Sequence, residues 1–477
     1  MENASLEALV ITARTIIGGG IGGASSAYFL RTLAPSEIEI EIHLFNHGNI
    51  GGRVTTVQMP YNGKMRMFEA GGSILHPANL YFKTWMEKFG LHKRNMLHEE
   101  NIMGIWNGQE FVLLKSPYYL VTLYRVLKRY GFDLLKNHFE IRNLLSDFEN
   151  IYTLLDQGRS FDTIDAMVMA MSPHLAKLVN KTMKEHLTEN GYHDPFIAEF
   201  TNAVLNCNYG QFVEEIRAFA GSVGLAGSAS DLYSVNGSNK LVVEKLIDYS
   251  KVRLINAKVV TVSKNNSRFI LYGSDGQKLG ANYDYVIAAV PLHQKQQIQI
   301  KALKVRLGVD CEGQRGKFKQ IITTILEGSL RATHWSLSEN DKLTAIFTCN
   351  NSLPYKSIGQ LLPVDYQESE SFSNKIWKIF SNKDLTNSEL SLYFSEIKSI
   401  KRIPFLAYPE YKKYPADRPK FRLAKNICFV NAVEWFASTI EMSAIGGRNC
   451  INMLLKDLKL IEVSKNQTDR AVKSFEL

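Results

Sequence analysis

Three observations predict an α/β fold in which a Rossmann-like dinucleotide-binding domain is interleaved with a mixed α+β substrate domain. The β-branched run Thr15-Ile16-Ile17 breaks into glycines at Gly18, Gly20 and Gly23 and then into the helix-like stretch Ala24 to Leu30. Ile38 to Phe45 reads as a second strand, and Ile427 to Asn431 as one more buried strand after a long excursion. In a strand-turn-helix unit the first glycine allows the tight turn, the second lets backbone approach a pyrophosphate, and the third brings helix close to strand. The phosphates then sit at the helix N-terminus, where unused N–H groups and the dipole favour negative charge.

With 477 residues and 45% hydrophobic composition, the chain can bury a sizeable core and is expected to form more than one domain. Its formal charge of +9 is spread along the chain, with no long Lys/Arg block and no aromatic-basic repeat, so a nucleic-acid partner is not expected. The cysteines at 207, 311, 349, 428 and 450 have neither C-x-x-C nor zinc spacing, and they identify no metal site and no disulfide framework. Sequons at Asn180, Asn236, Asn265, Asn350 and Asn466 would permit glycosylation on the secretory path, although such triplets also arise by chance. No signal peptide is evident, because Glu2 and Glu7 precede only a short apolar patch, and no apolar run is long enough to span a bilayer. Arg14 is out of place in a strand buried on both faces, where an unpaired charge is costly; the expectation is that the residues before Thr15 are not the segment that normally opens this fold.

Taken in order, the second strand ends at Asn46, where a dinucleotide fold ordinarily carries an acid for the ribose hydroxyls. Asn accepts a hydrogen bond there without charge assistance. Gly51-Gly52-Arg53 and Glu69-Ala70-Gly71-Gly72-Ser73 are two further places where backbone can approach a large ligand, and Arg53 is the residue type that pairs with a pyrophosphate. From Leu80 to about Asn206 the pattern is mainly helical. Within it, Tyr119, Leu120, Leu123, Val126 and Leu127 recur at helical spacing between Tyr118 and Phe132, with Arg125, Lys128 and Arg129 interspersed. This stripe is either ordinary core or a basic amphipathic surface for a membrane. Val252 to Val262 and Arg268 to Tyr272 read as a small meander, and Tyr283 to Pro291 as a buried strand stopped by proline. Ile321 to Leu326 and Ile376 to Phe380 belong to a second visit to the substrate domain, and Ser438 to Leu455 is helix-like.

Together with Gly18 to Leu30, the stretches Gly51-Gly52-Arg53, Glu69 to Pro77, Asn208-Tyr209-Gly210-Gln211, Asn239-Lys240-Leu241, Ala407-Tyr408-Pro409 and Glu441 to Ile445 resemble the prenylcysteine oxidase family. The resemblance runs from about Thr15 to about Leu455. It implies an FAD-binding domain over 15–80, 207–295 and 405–460, a substrate or cap domain over 81–206 and 296–404, and termini at 1–14 and 461–477. Gly18, Gly20 and Gly23 match the FAD pyrophosphate turn, Gly52 and Arg53 the second flavin motif, and Gly71 and Gly72 the glycines near the flavin. Val259 falls where related flavoproteins hold adenine with strand backbone, Glu434 matches the acid near the ribityl phosphate, and Met442 starts the helix facing the ring. The departures are Arg14, Asn46 in the ribose position, and Asn236-Gly237-Ser238 where the family usually reads E-G-G.

The resemblance implies an FAD-dependent thioether oxidase of the lysosome that cleaves farnesyl- or geranylgeranyl-cysteine with O2, giving cysteine, a prenyl aldehyde and hydrogen peroxide. Such chemistry leaves the hard step to the cofactor, which agrees with a sequence that has no evident Ser/His/Asp constellation or metal cluster. His76 is the one motif histidine expected near the flavin, either transferring a proton or making a structural hydrogen bond. Two other readings fit the same residues: another FAD oxidase or desaturase on this scaffold, and a non-catalytic flavin- or isoprenoid-binding protein.

Overall fold

The computed structural model describes residues 14–95, 102–228, 231–292, 298–300, 317–338, 343–367, 370, 375–413 and 418–460. At its centre Arg14–Ile17 pairs in parallel with Ile42–Asn46 on one side and Val286–Ala288 on the other. Arg253–Asn256 and Ile427–Phe429 extend this sheet in parallel, and Arg422–Ala424 closes one edge antiparallel, giving six strands. Helices Ile21–Leu33 and Ile440–Asp457 pack together beside it. Ile16, Ala24, Ala27, Leu44, Ile287 and Ile445 are fully or almost fully buried in the resulting core.

The second strand starts at Ile42, later than the alternation from Ile38 suggests, and Ile42 pairs with Arg14 of the central strand. Arg14 itself belongs to that strand and is paired: its guanidinium reaches Asp284 at 3.1 Å while its N–H donates to Glu41 O. Ion pairing thus makes a charge tolerable where continuous apolar sequence was expected. The segment before it lies outside the described residues.

A second, seven-stranded sheet has the long antiparallel pair Phe318–Leu330 and Phe394–Pro409 at one edge. Ile376–Ser381, Tyr355–Leu361 and Leu343–Thr348 follow, and Ile102–Trp106 with Phe111–Leu114 completes it. The last two strands correct the mainly helical reading of the region after Leu80. Ile102–Trp106 is held by parallel pairing to Leu343–Thr348, a partner so distant in sequence that local periodicity carries no trace of it. Lys93–Asn95 is a further short strand, paired with Tyr233–Val235, and the helices of that region include Tyr119–Tyr130, Asp133–Asp156 and shorter ones up to Asn202–Tyr209. None of the described helices is long and apolar enough to cross a membrane.

A disulfide joins Cys428 on the last parallel strand to Cys450 on the helix behind it, with Cα atoms 5.7 Å apart. Their spacing in the sequence gives no sign of this, since the pair is brought together by the packing of helix on strand.

Candidate flavin site

Three glycine turns meet at the carboxyl ends of the central strands. Gly51 N–H donates to Gly19 O at 2.9 Å, joining the first turn to the second, and Gly72 N–H donates to Arg53 O at 2.9 Å, joining the second to the third. The contacts tolerate no side chain at two points: a Cβ on Gly23 would lie 1.8 Å from Gly18 O, and one on Gly71 would lie 1.9 Å from Arg53 O. Gly20 caps helix Ile21–Leu33 without any side-chain bond. The first intrahelical bond is Ala24 N–H to Gly20 O, so the N–H groups of Ile21, Gly22 and Gly23 face the turn without intrahelical acceptors. Buried donors at a helix N-terminus fit a diphosphate, and this cradle is where the pyrophosphate of a dinucleotide cofactor fits.

Asn46 stands at the end of its strand beside this turn. Its Oδ1 accepts from Gly19 N–H at 3.0 Å and its Nδ2 donates to Gly48 O at 2.8 Å, so the side chain already braces two loops. Arg53 makes a bidentate pair with Glu434, which is fully buried, and also donates to Ala407 O at 2.6 Å; Asn431 Nδ2 donates to Glu434 Oε1 at 2.6 Å. Arg53 and Glu434, far apart in sequence, are therefore one unit. Met442 is buried in the first turn of helix Ile440–Asp457, its N–H held by the Thr439 hydroxyl. Ile440 of the same turn packs over Gly72, where a Cβ would lie 3.0 Å away. Val259 is buried with Ile17 and Phe45 in the cluster on the meander side of the sheet.

His76 has a local task. Its Nδ1 accepts from Ala78 N–H at 3.0 Å, and its own N–H donates to Asn79 Oδ1 at 2.7 Å, shaping the entry to helix Leu80–Lys88. Burial lowers its pKa, favouring the neutral ring this acceptor role requires. The structural hydrogen bond is the role the geometry supports.

Several residues of the site escaped individual notice in the sequence. Glu69 accepts from Asn239 N–H at 2.9 Å, and Asn239 Nδ2 donates to Gly72 O at 3.2 Å, so the Asn236–Lys240 segment braces the third turn. Burial raises the Glu69 pKa. Glu441 accepts from the N–H groups of Tyr81 and Phe82 and from the Tyr152 hydroxyl, capping helix Leu80–Lys88 from another element. Lys378, on strand Ile376–Ser381 of the second sheet, reaches Ser73 Oγ at 3.2 Å and Glu69 O at 3.4 Å. Glu69, Asn239 and Glu441 lie in stretches that carry the family resemblance, whereas nothing in the sequence around Lys378 marks it.

Beside Ser73 there is a hollow. Lys378, Cys207 and Tyr408 lie deep in the protein, deep enough to shift all three pKa values by burial, yet each keeps some accessible surface. Gly359, directly opposite Lys378 on the neighbouring strand, has nothing within 4 Å of where a Cβ would stand. Phe380 shares the Lys378 face of its strand, and its ring lies 5.3 Å from the ammonium. An internal, partly aromatic space thus adjoins the third glycine turn.

Known proteins resemble this chain at two levels. The family described as prenylcysteine lyase matches residues 113–467, and an NAD(P)-binding Rossmann-like domain matches residues 16–89. Prenylcysteine oxidase 1 of Homo sapiens is 31% identical over 452 residues, spanning 91% of this chain and 87% of that one. Prenylcysteine oxidase 1-like of Bos taurus is 26% identical, with 96% of each chain covered. Among solved structures, putrescine oxidase bound to putrescine superposes with a TM-score of 0.58 at 15% identity, covering 93% of this chain and 99% of that one. Cyclohexylamine oxidase from Brevibacterium oxydans IH-35A gives 0.59 at 13% identity, covering 94% and 99%. At such identities the structural likeness speaks for the fold alone.

Proposed function

The chain belongs to the prenylcysteine oxidase family and is an FAD-dependent oxidoreductase, and from that premise we propose that it oxidises the thioether of farnesyl- or geranylgeranyl-cysteine with O2 and water, yielding cysteine, the prenyl aldehyde and hydrogen peroxide. The observation that carries the proposal is the union of the three glycine turns and the Arg53–Glu434 pair beside an internal hollow. When bound, FAD supplies the acceptor for a hydride from the allylic carbon next to sulfur. The chain's share is to bind and orient: the Gly18–Gly23 turn holds the diphosphate, Arg53 and Glu434 fix the second turn, and the hollow near Phe380 and Tyr408 takes the apolar chain.

Purified protein should be yellow, should bleach anaerobically with S-farnesylcysteine, and should release peroxide when air is admitted. Anaerobic bleaching by an amine with none by the prenyl thioether would move the assignment to an amine oxidase. Well-folded protein that cannot be loaded with FAD would remove the enzyme reading altogether.

The proposal includes a membrane contact. A prenyl chain gains ~25 cal/mol for each Å² of apolar surface taken from water, so it resides in lipid and the enzyme must meet it there. Tyr118, Tyr119 and Leu120 are about three-quarters exposed, and Tyr124 at 63%, Leu127 at 43% and Phe132 at 76% continue the same patch. This exposure supports a surface role for the stripe, with Val126 partly buried against the core. Lys115, Arg125, Lys128 and Arg129 lie in the same segment, with no acidic residue from 115 to 132. Arg125 is engaged with Leu114 O and Arg129 with Glu199, so Lys128 is the basic residue of the helix best placed for anionic headgroups. Leu120→Asp with Leu127→Asp is expected to reduce binding to phosphatidylserine vesicles at least about tenfold while changing stability by less than ~1 kcal/mol. Vesicle binding equal to the parent's would end the membrane reading.

Lysosomal residence is likewise proposed, supported by the Cys428–Cys450 disulfide, which suits an oxidising lumen, and by the exposure of Asn180, Asn236 and Asn265. Finding these cysteines reduced in protein isolated from cells under alkylation would overturn it.

A further inference from the structure

The Lys378 amine is buried with no carboxylate paired to it among the described residues. Its ammonium donates to a hydroxyl and a carbonyl, Ser73 Oγ and Glu69 O, and no carboxylate oxygen of the described residues lies within the 4.0 Å of an ion pair. Glu69, whose charge acts on it, gives Oε1 to Asn239 N–H. A buried cation with only neutral acceptors is expensive, and an apolar side chain would suit that position better unless the charge is used. Its placement says where. Lys378 opens onto the hollow across from Gly359 and touches the residue that follows Gly71 and Gly72.

We propose that Lys378 is the electrostatic partner of the flavin site, an ammonium held against the Gly71-Gly72-Ser73 turn to stabilise the negative charge that FAD gains during turnover. The inference rests on the FAD oxidase reading above. In the reductive half, the allylic C–H bond breaks and hydrogen leaves with both electrons, so one negative charge moves to the cofactor and one positive charge stays on the carbon next to sulfur. Water then adds to that carbon with loss of a proton, the hemithioacetal breaks its C–S bond to release cysteine and the aldehyde, and in the oxidative half two electrons, the transferred hydrogen and one proton from solvent pass to O2, giving hydrogen peroxide. With FAD bound so that its ring meets the Gly71-Gly72 turn, as the family resemblance implies, both halves would place negative charge there, and a preorganised cation in a water-poor site would stabilise it far more than in water. Burial lowers the pKa of Lys378, and Glu69, Cys207 and Arg94 are the titratable groups whose charges act on it, the first two favouring the ammonium.

The test uses the FAD-loaded protein and sulfite, which adds through its sulfur lone pair to oxidised flavin and leaves the ring anionic, so its affinity reports stabilised negative charge without turnover. Lys378→Gln keeps donors for Ser73 and Glu69 O but removes the charge, and Lys378→Arg keeps the charge. The Gln variant should bind FAD as the parent does, bind sulfite at least about tenfold more weakly and have a lower flavin reduction potential, while the Arg variant retains most of the sulfite affinity. A parent that takes up no FAD would overturn the oxidase reading instead. With FAD uptake and sulfite binding established for the parent, equal sulfite affinity and potential in Lys378→Gln would overturn the role of Lys378.

Discussion

Replacing Arg53 with methionine is expected to destabilise the apoprotein by roughly 3–5 kcal/mol, before any question of cofactor arises. Glu434 is fully buried, and its carboxylate is met by the Arg53 guanidinium through both oxygens and by the Asn431 amide. Removing Arg53 leaves an uncompensated buried charge with one neutral donor, and it frees Ala407 O, which Arg53 binds at 2.6 Å. Arg53 also fixes the turn whose carbonyl receives Gly72 N–H, so the second and third glycine turns should loosen together. Urea unfolding of the apoprotein measures the loss. Pairing Arg53→Met with Glu434→Leu should cost well below the sum of the two single changes, since the stranded charge is gone. An Arg53→Met apoprotein as stable as the parent would mean that the pair does not hold the turns in place.

Glu441 should make the protein more stable in acid than at neutral pH. Burial raises its pKa from 4.5 to about 7, against the opposing effect of hydrogen bonds from Tyr81 N–H, Tyr152 and Phe82 N–H. The folded state therefore holds a proton that the unfolded chain releases between these values. The stabilisation is complete below pH 4.5 and is lost as pH rises through about 7, amounting to about 3 kcal/mol over the window. The two shortest bonds, from Tyr81 N–H at 2.7 Å and Tyr152 at 2.8 Å, both fall on Oε1, so protonation of Oε2 leaves them intact. The hydroxyls of Tyr81, Tyr152 and Tyr233 are all pushed upward by burial and stay protonated throughout, so they add no slope of their own. Thermal melts of the parent and Glu441→Gln from pH 4.5 to 8 isolate the effect: the parent should lose stability relative to the glutamine variant as pH rises. Parallel curves would refute it. Glu441→Ala should be destabilised at every pH by ~2–4 kcal/mol, because it strands two N–H groups at the start of helix Leu80–Lys88.

The flavin site was legible as residues more than as contacts. Gly23 and Gly71 could be picked out because a backbone contact of under 2 Å to a Cβ excludes every other residue, and such a constraint appears directly as a letter in the chain. The exposed helix near Tyr119 was half legible: spacing gave its apolar face, but a face of leucines and tyrosines has the same spacing whether it meets core or lipid. Arg14 appeared anomalous only because Asp284, its partner, lies in a different part of the sequence.

What the sequence by itself determined is the dinucleotide fold, its three glycine turns and its family, since these rest on local backbone geometry that few residue types satisfy. The tertiary structure alone decided which charges are paired and which are left open. Arg53 found Glu434, helix Leu80–Lys88 found Glu441, Cys428 found Cys450, and Lys378 came to rest beside Ser73 without a paired carboxylate among the described residues. The physical reason is range: a glycine turn is settled within a few residues, whereas the free energy of a buried charge depends on groups that only the packing of distant strands and helices brings within a few ångströms.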